Sequence, residues 1–590
     1  MRKLVLALAA ASLAVPGRAQ EATGAGRSGA ATVDHWVKAK WDEAGLRPAK
    51  RSDDAEFLRR AFLDVVGQIP TLEEAEKFLA DKSSSKRQKL VESLVKDARY
   101  AEHWADVWTG ILVGFDNDNR DQGLRLKATD DIRRMLEKNL PHDEFARKAI
   151  TATGAVYQRV GRGTPENTPV EESGLAAYVY NISREAGRDL PLALAGKVTR
   201  AFLGVQIQCA QCHDHPFDKW TQEEFYGMAS FFTEVGARRV AVETKKDPKK
   251  PAPPQQQPEY YYMIADTPRR GLRPGMGAGD LSIPDSKTGP VKAAFLENGK
   301  GAVPGELRRV SFAKYVTEKE NVRFARMAVN RMWAHFFGAG IVNPVDDFNA
   351  KNKPTHPELL DELAREFIAR GYDNHWLIRT ITSSEAYQLT SRVAGRERDP
   401  QAEKVLAIHR VRALAPEQIL RSVVEATDFG EGPMARLRAG AANRPGAMPG
   451  GGGDRADLLL FGILSQFRSN FSDDEGNEVT EFSGTIPSAL LMMNGFLTNG
   501  SNPLAGRLSG PMAERIAERM GATSPLAELV KKHAGPEASI KAVFLKVLTR
   551  PPTDKELSRW KAHVGRTQGL AGYEDLQWTL LNTSEFLFNH

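Results

Sequence analysis

Cysteine is almost missing from this chain, with two residues in 590. So few thiols exclude a disulfide framework as the general source of stability, which must come instead from packed apolar cores. Long apolar runs are lacking too. Past the N-terminus no segment approaches the roughly 18 uninterrupted apolar residues that a spanning helix needs, so no membrane span is expected. Charge of one sign is not in excess: 81 Lys and Arg face 75 Asp and Glu, a formal net charge of +6. That near balance argues against nucleic acid as the main partner, which normally demands a concentrated basic face. The length exceeds what one hydrophobic core usually serves and points to two or three domains.

The N-terminus has the pattern of an export leader. Arg2 and Lys3 precede an apolar stretch from Leu4 to Val15, and Gly17-Arg18-Ala19 offers small residues where a signal peptidase reads. The stretch is too short to span a bilayer, so residues 1–19 are expected to be a cleaved signal peptide and the protein periplasmic or secreted.

The two cysteines sit three apart and a histidine follows the second: Cys209-Ala210-Gln211-Cys212-His213. Shuffling this composition would produce such a pentad in only about 1 in 15,000 chains. Two thiols at that spacing can add to the two vinyl groups of a haem while the adjacent imidazole takes the iron. The expectation is one covalent haem c bound by Cys209 and Cys212, with His213 as the proximal iron ligand. Two alternatives remain open: a Cys209–Cys212 disulfide, or a metal site using both cysteines with His213 or His215. Adjacent Cys and His ligands suit a single tetrahedral zinc poorly. For the sixth iron position, His103 is the favoured side chain, because Trp104 and Trp108 beside it are large enough to cover a porphyrin face. His215, Met228 and Met135 are weaker choices.

The pattern of the remainder is mainly α: two helical domains joined by an irregular Pro/Gly-rich connector with little β. The first domain spans 32–234, the connector 235–306 and the second domain 307–590, with a Gly-rich surface loop at 430–453. Thr71 with Glu74 and Thr221 with Glu224 make capping boxes that start helices. Asp189-Leu190-Pro191 opens a helix running to Gly204, directly before the pentad. Val322 to Phe337 reads as an apolar helix stopped by Gly338, and only Tyr260 to Ala265 reads as strand. One motif echoes across the chain: Phe62-Leu63-Asp64-Val65 before Pro70-Thr71 recurs as Phe544-Leu545-Lys546-Val547 before Pro552-Thr553, at the same spacing. The two are either related units at opposite ends of the chain or one turn solution used twice, and the second reading is preferred.

The run Phe57 to Ala80, the segment Cys209 to Lys219, and Ala328-Val329-Asn330-Arg331-Met332-Trp333-Ala334-His335-Phe336-Phe337-Gly338 together resemble a family. So do Pro344-Val345-Asp346-Asp347-Phe348, His356-Pro357-Glu358-Leu359-Leu360, Gly371-Tyr372-Asp373 and Leu548-Thr549-Arg550-Pro551-Pro552-Thr553. The chain is similar to the secreted planctomycete proteins that pair a cytochrome-like domain (domain of unknown function 1549) with a companion domain (domain of unknown function 1553). The resemblance implies the fold pairing and a haem site, and it implies no defined reaction. The chain departs from many members at Glu102-His103-Trp104, carrying His103 before the Trp where they have Arg.

These residues suggest an exported monohaem c-type cytochrome-like protein serving electron transfer or an extracytoplasmic oxidative system, with a redox protein as partner and an unnamed substrate. The alternatives are a non-catalytic secreted binding protein with a Cys209–Cys212 disulfide, or a hydrolase. Whether the protein is an enzyme is left open. For hydrolysis the weak catalytic candidates are Asp346, Asp347 and His356, near His335 in a polar cluster of the second domain. None of these spacings matches a metalloenzyme signature. Asn330 and Arg331, set among apolar helix residues, are expected to make buried structural hydrogen bonds.

Overall fold

The computed structural model describes residues 29–114, 122–157, 173–241, 260–267, 279–392, 399–428 and 525–590, apart from 285, 287, 288 and 568. The expected leader at 1–19, the Lys/Pro/Gln stretch of the connector, most of its Gly-rich stretch and the loop at 430–453 lie outside these residues. What is described is mainly α.

The first block consists of α1 (Ala30–Ala44), α2 (Asp54–Val65), α3 (Leu72–Ala80), α4 (Lys86–Leu94), α5 (Ala98–Leu112), α6 (Gln122–Glu137), α7 (His142–Ile150), α8 (Gly174–Ala186), α9 (Leu190–Leu203) and α10 (Gln222–Ala229). Both expected capping boxes form: Thr71 accepts the Glu74 amide at 3.1 Å and Thr221 accepts the Glu224 amide at 3.2 Å, and each glutamate reaches back to its threonine's own amide. The second block holds α11 (Arg308–Thr317), α12 (Val322–Phe337), α13 (Pro357–Ala369), α14 (Asn374–Ser383), α15 (Pro400–Lys404) and α16 (Pro416–Thr427). Further helices follow at Pro525–Lys532, Pro536–Leu548, Asp554–Val564, Ala571–Leu581 and Ser584–Leu587. Gly338 stops α12 as expected, in the left-handed conformation at φ 74°.

Two expectations change. The blocks at 32–234 and 307–590 do not have separate cores among the described residues. One continuous apolar cluster runs from Val33 and Trp41 on α1, through Trp108 and Phe202, to Phe336, Leu363 and Tyr387. α1 packs on α13 and α14, α7 on α11, and α9 on α12. Polar bonds cross the same seam: the Trp41 indole donates to the Val405 carbonyl at 2.9 Å and the Trp36 indole to Glu362 at 2.7 Å. The physical reason is that these helices carry more apolar surface than their own block covers, and the surplus is buried across the seam.

The connector is also less irregular than expected. Its strand β3 (Tyr260–Asp266) lies between β1 (Gly154–Val156) and β2 (Val235–Ala241) in an antiparallel sheet, with Gly154 opposite Ile264 and Val235 opposite Asp266. β2 escaped the sequence reading because Gly236 to Arg239 are exposed, so the alternation that marks a half-buried strand is missing. Arg309 then pins this sheet to the second block, donating to both Asp266 oxygens at 2.7 and 2.8 Å and to the Ile150 carbonyl at 3.1 Å.

A second apolar cluster joins Leu63 and Ile69 to Leu414, Ile419, Phe544, Val547, Leu576 and Phe586. α2 is therefore buried on all sides, shared between the two clusters. The echoed motifs meet here. Thr553 caps Glu556 as Thr71 caps Glu74, and α3 packs against the helix Pro536–Leu548. The two copies are neighbours in space as well as alike in build.

Candidate functional site: an exposed cysteine–histidine turn

α9 ends at Gly204, whose φ of 63° is left-handed. A Cβ there would lie 2.6 Å from the Phe348 ring and 2.7 Å from the Met327 sulfur, so glycine is needed for conformation and for space alike. A short 3₁₀ turn, Ile207–Gln211, follows. It buries Ile207 and Ala210 and leaves Cys209, Cys212 and His213 exposed. The two cysteines are unbonded to each other. The buried pair anchors the turn, and the reactive groups point to solvent.

The His213 ring is oriented by its neighbour. Its Nδ1 lies 2.7 Å from the Asp214 carbonyl oxygen. A carbonyl only accepts, so Nδ1 carries the proton and Nε2 is left with a free lone pair, the arrangement by which a backbone carbonyl fixes the tautomer of a ligating histidine. The segment beyond is fastened to α10: Asp214 accepts the Gln222 amide at 2.8 Å, the Gln222 side chain donates to the Gln211 carbonyl at 2.9 Å, and the His215 amide donates to the Trp220 carbonyl at 2.8 Å. Beside this turn Phe217 is 64% exposed. The Lys351 ammonium sits 4.1 Å over its ring.

The second block braces both flanks of the turn. Asp346 is buried; it accepts from the Arg200 guanidinium and, at 3.0 Å, from the Gln206 amide. The Phe348 amide donates to the Gly204 carbonyl at 2.8 Å, and Arg331 donates to the Ala201 carbonyl. Asn330 holds the loop that carries Asp346, bonding the Val342 and Val345 carbonyls at 2.9 and 3.0 Å and accepting the Val342 amide at 2.8 Å. The buried structural role expected for Asn330 and Arg331 is what they perform.

The hydrolase candidates do not hydrogen-bond to one another; each has its own local partners. Asp346 is spent on Arg200 and Gln206. Asp347 accepts from Asn349 at 2.7 Å and Asn352 at 2.9 Å within its own loop. His356 is buried at the start of α13, its Nδ1 2.9 Å from the Thr355 hydroxyl and its Nε2 without a hydrogen-bond partner. Burial, with Lys40 nearby, pushes its pKa down to about 4.

The His103 ring packs against His335 and Gly67. Its Nε2 is 3.3 Å from Nε2 of His335, and its Nδ1 has no partner and lies against Gly67, where a Cβ would come within 2.3 Å of it. His335 Nε2 is also 2.9 Å from the Asp64 carbonyl, which requires His335 to be the donor and leaves the proton of His103 on Nδ1. Among the other sixth-ligand choices, Met228 is fully buried with its sulfur 3.3 Å from the Leu296 amide, His215 Nδ1 accepts from the Phe217 amide at 3.2 Å, and Met135 packs on the core.

Residues 32–237 match a family model described as protein of unknown function (DUF1549), and residues 308–441 match one described as protein of unknown function (DUF1553). The chain belongs to the two-domain DUF1549–DUF1553 family. No curated protein and no solved structure matches it. The first match and the start of the second lie within a few residues of the block boundaries read from the sequence, whereas the second match ends at 441, well short of 590. The DUF1549 and DUF1553 regions are units of sequence that fold here around a shared core.

Between the DUF1549 and DUF1553 regions lies a polar junction that sequence reasoning missed. The Asp64 carboxylate accepts from the Tyr387 hydroxyl at 2.7 Å, from Asn589 at 2.6 Å and from Arg412. Burial pushes the Asp64 carboxyl and the Tyr387 phenol upward. One turn earlier, Arg60 pairs with Glu56 at 2.7 Å and donates to the Leu389 carbonyl at 2.9 Å. The available signal was the presence of Arg59, Arg60 and Asp64 in the otherwise apolar run from Phe57 to Val66. An open groove of about 1130 Å³ lies beside this junction, lined by Asp53, Arg392, Arg550, Pro552, Glu585 and His590 among others. Its charges are already paired: Arg550 with Glu556 and Glu585, and Arg392 with Asp53. Among the described residues no group of three or more His, Cys, Asp or Glu is placed to hold a metal ion, and no helix is long and apolar enough to cross a membrane.

Proposed function

We propose that the protein is an exported monohaem c-type cytochrome-like protein that carries electrons in an extracytoplasmic oxidative system. The observation that carries this reading is the presentation of the pentad. Both thiols are exposed on one short turn, and the adjacent His213 has its Nδ1 committed to a backbone carbonyl and its Nε2 free. That donor set fits haem c, with thioether bonds from Cys209 and Cys212 and His213 Nε2 on the iron. The bound group would supply a one-electron couple at the protein surface.

The chain's own residues would do the rest. Asp214 holds the His213 ring and also caps α10, which fixes the turn to its neighbour. Ile207 and Ala210 keep the turn seated in the core. Phe217 lends exposed apolar surface beside the motif, as a porphyrin edge or a redox partner requires. Of the sixth-position candidates, Met228 has its sulfur against the Leu296 amide and His103 its Nε2 against His335, so the reading does not depend on either of them as a ligand. The leader expected at residues 1–19 supports the same reading, since attachment of haem c takes place outside the cytoplasm.

The hydrolase reading loses its support, because Asp346, Asp347 and His356 serve separate local structures. The test is an absorption spectrum of the protein produced with the cytochrome c maturation machinery. A c-type haem spectrum lost in Cys209→Ser and Cys212→Ser is the expected result; colourless protein under those conditions rejects the proposal.

A further inference from the structure

We infer that the loop 344–352 of the DUF1553 region is a brace that sets the conformation of the cysteine–histidine turn, with Asp346 as its positioning residue. The inference deepens the proposed haem reading by giving the companion region a task at that same site, and the contacts it is argued from are made by the protein alone.

The brace touches the turn on both sides. On the N-terminal flank, the Asp346 carboxylate takes Arg200 from the last turn of α9 and Gln206 from the residue before the 3₁₀ turn. Between them, the Phe348 amide holds the Gly204 carbonyl at 2.8 Å, and the Phe348 ring fills the space a side chain at Gly204 would need. On the C-terminal flank, Lys351 lies over Phe217. Cys209, Cys212 and His213 all fall between these anchor points.

Charge and burial single out Asp346. Its side chain is 4% exposed and that of Arg200 25%, so the carboxylate is held in the interior with Arg200 and Gln206 as its partners. Gln206 is the direct link, because its amide nitrogen is held by Asp346 while its backbone continues into Ile207. An exposed turn of five residues has few internal bonds with which to hold one shape. Two thiols and an imidazole that must meet one planar cofactor need such a shape in advance. The loop that supplies it is itself fixed by Asn330 on α12, which makes a continuous path of contacts from the second block's core to the pentad.

Hydrogen exchange on the full chain tests the brace. In Asp346→Ala, exchange of peptides covering 205–213 should rise at least tenfold while α5 and α13 stay protected. Asp346→Asn keeps an acceptor for Gln206 and should restore most of the protection, a rescue that general destabilisation would not give. If Asp346→Ala fails to fold, Gln206→Ala decides: it removes the link without uncovering a buried charge and should still raise exchange over 205–213. Unchanged exchange there, or a rise spread evenly over the chain, overturns the inference. The readout needs no haem, so the two ideas fail separately. Haem present with exchange insensitive to Asp346 sinks the brace, and a brace effect in protein that never takes up haem sinks only the cytochrome reading.

Discussion

The cysteine–histidine turn and the Asp64 junction use similar side chains to opposite ends. Both have histidine and aspartate beside aromatic rings. In the turn, His213 is exposed, one nitrogen is held by a carbonyl and the other is free. In the junction, His103 and His335 are packed Nε2 to Nε2, and Asp64 is saturated by Tyr387, Arg412 and Asn589. Residue type alone does not separate a ligand from a structural group. What separates them is whether an atom remains unspent and can be reached.

The sharpest way to break this comparison is acid. His142 and His335 are pushed down to about 3 and His356 to about 4, and His103 falls well below the usual imidazole range, each mainly by burial. Their folded pKa values lie below the unfolded value, so the unfolded chain binds more protons under acid conditions. The stability they contribute is complete above about pH 6.5 and is lost as the pH falls toward 4, by about 1.4 kcal/mol per pH unit for each fully buried ring. Denaturant titrations at pH 7, 6 and 5 should show a steep loss. Protonation would also set two Nε2–H donors against each other at the His103–His335 contact, parting α5 from α12.

Next in size is Asp64→Ala. Removing the carboxylate leaves the half-buried Arg412 without the Asp64 counter-charge and the Tyr387 hydroxyl and Asn589 amide without their acceptor, and a loss of about 3 kcal/mol in urea unfolding is expected. Thr221→Ala takes away the capping box at the start of α10, on which the turn is fastened, and should cost about 1 kcal/mol. The smallest effect separates the two regions most clearly. His213→Ala, at an exposed position, should change unfolding stability by no more than about 0.5 kcal/mol, whatever it does to a bound cofactor.

Much of the helical frame was legible because its signals are local. Thr71, Thr221 and Gly338 act over one turn of chain, and each terminates or starts its helix as its chemistry dictates. The pentad was legible for the same reason, since its chemistry lies in five consecutive residues. The shared core was not, because the fit of α1 onto α13 depends on surfaces more than 300 residues apart and no periodicity reports it. The role of Asp346 was hidden likewise: a carboxylate in a turn looks the same whether it awaits a substrate or holds Arg200 and Gln206. The neighbours of His103 suggested a haem wall, and in the fold Trp104 lies against the ring of His335, at 4.5 Å between centroids.

Haem attachment at Cys209 and Cys212 is tested most directly by intact mass spectrometry with a count of free thiols. Protein exported through a cell with working cytochrome c maturation should carry the added mass of one haem and no free thiol, and Cys209→Ser with Cys212→Ser should carry none. An unmodified mass with two alkylatable thiols, or the mass of a plain Cys209–Cys212 disulfide, would contradict it.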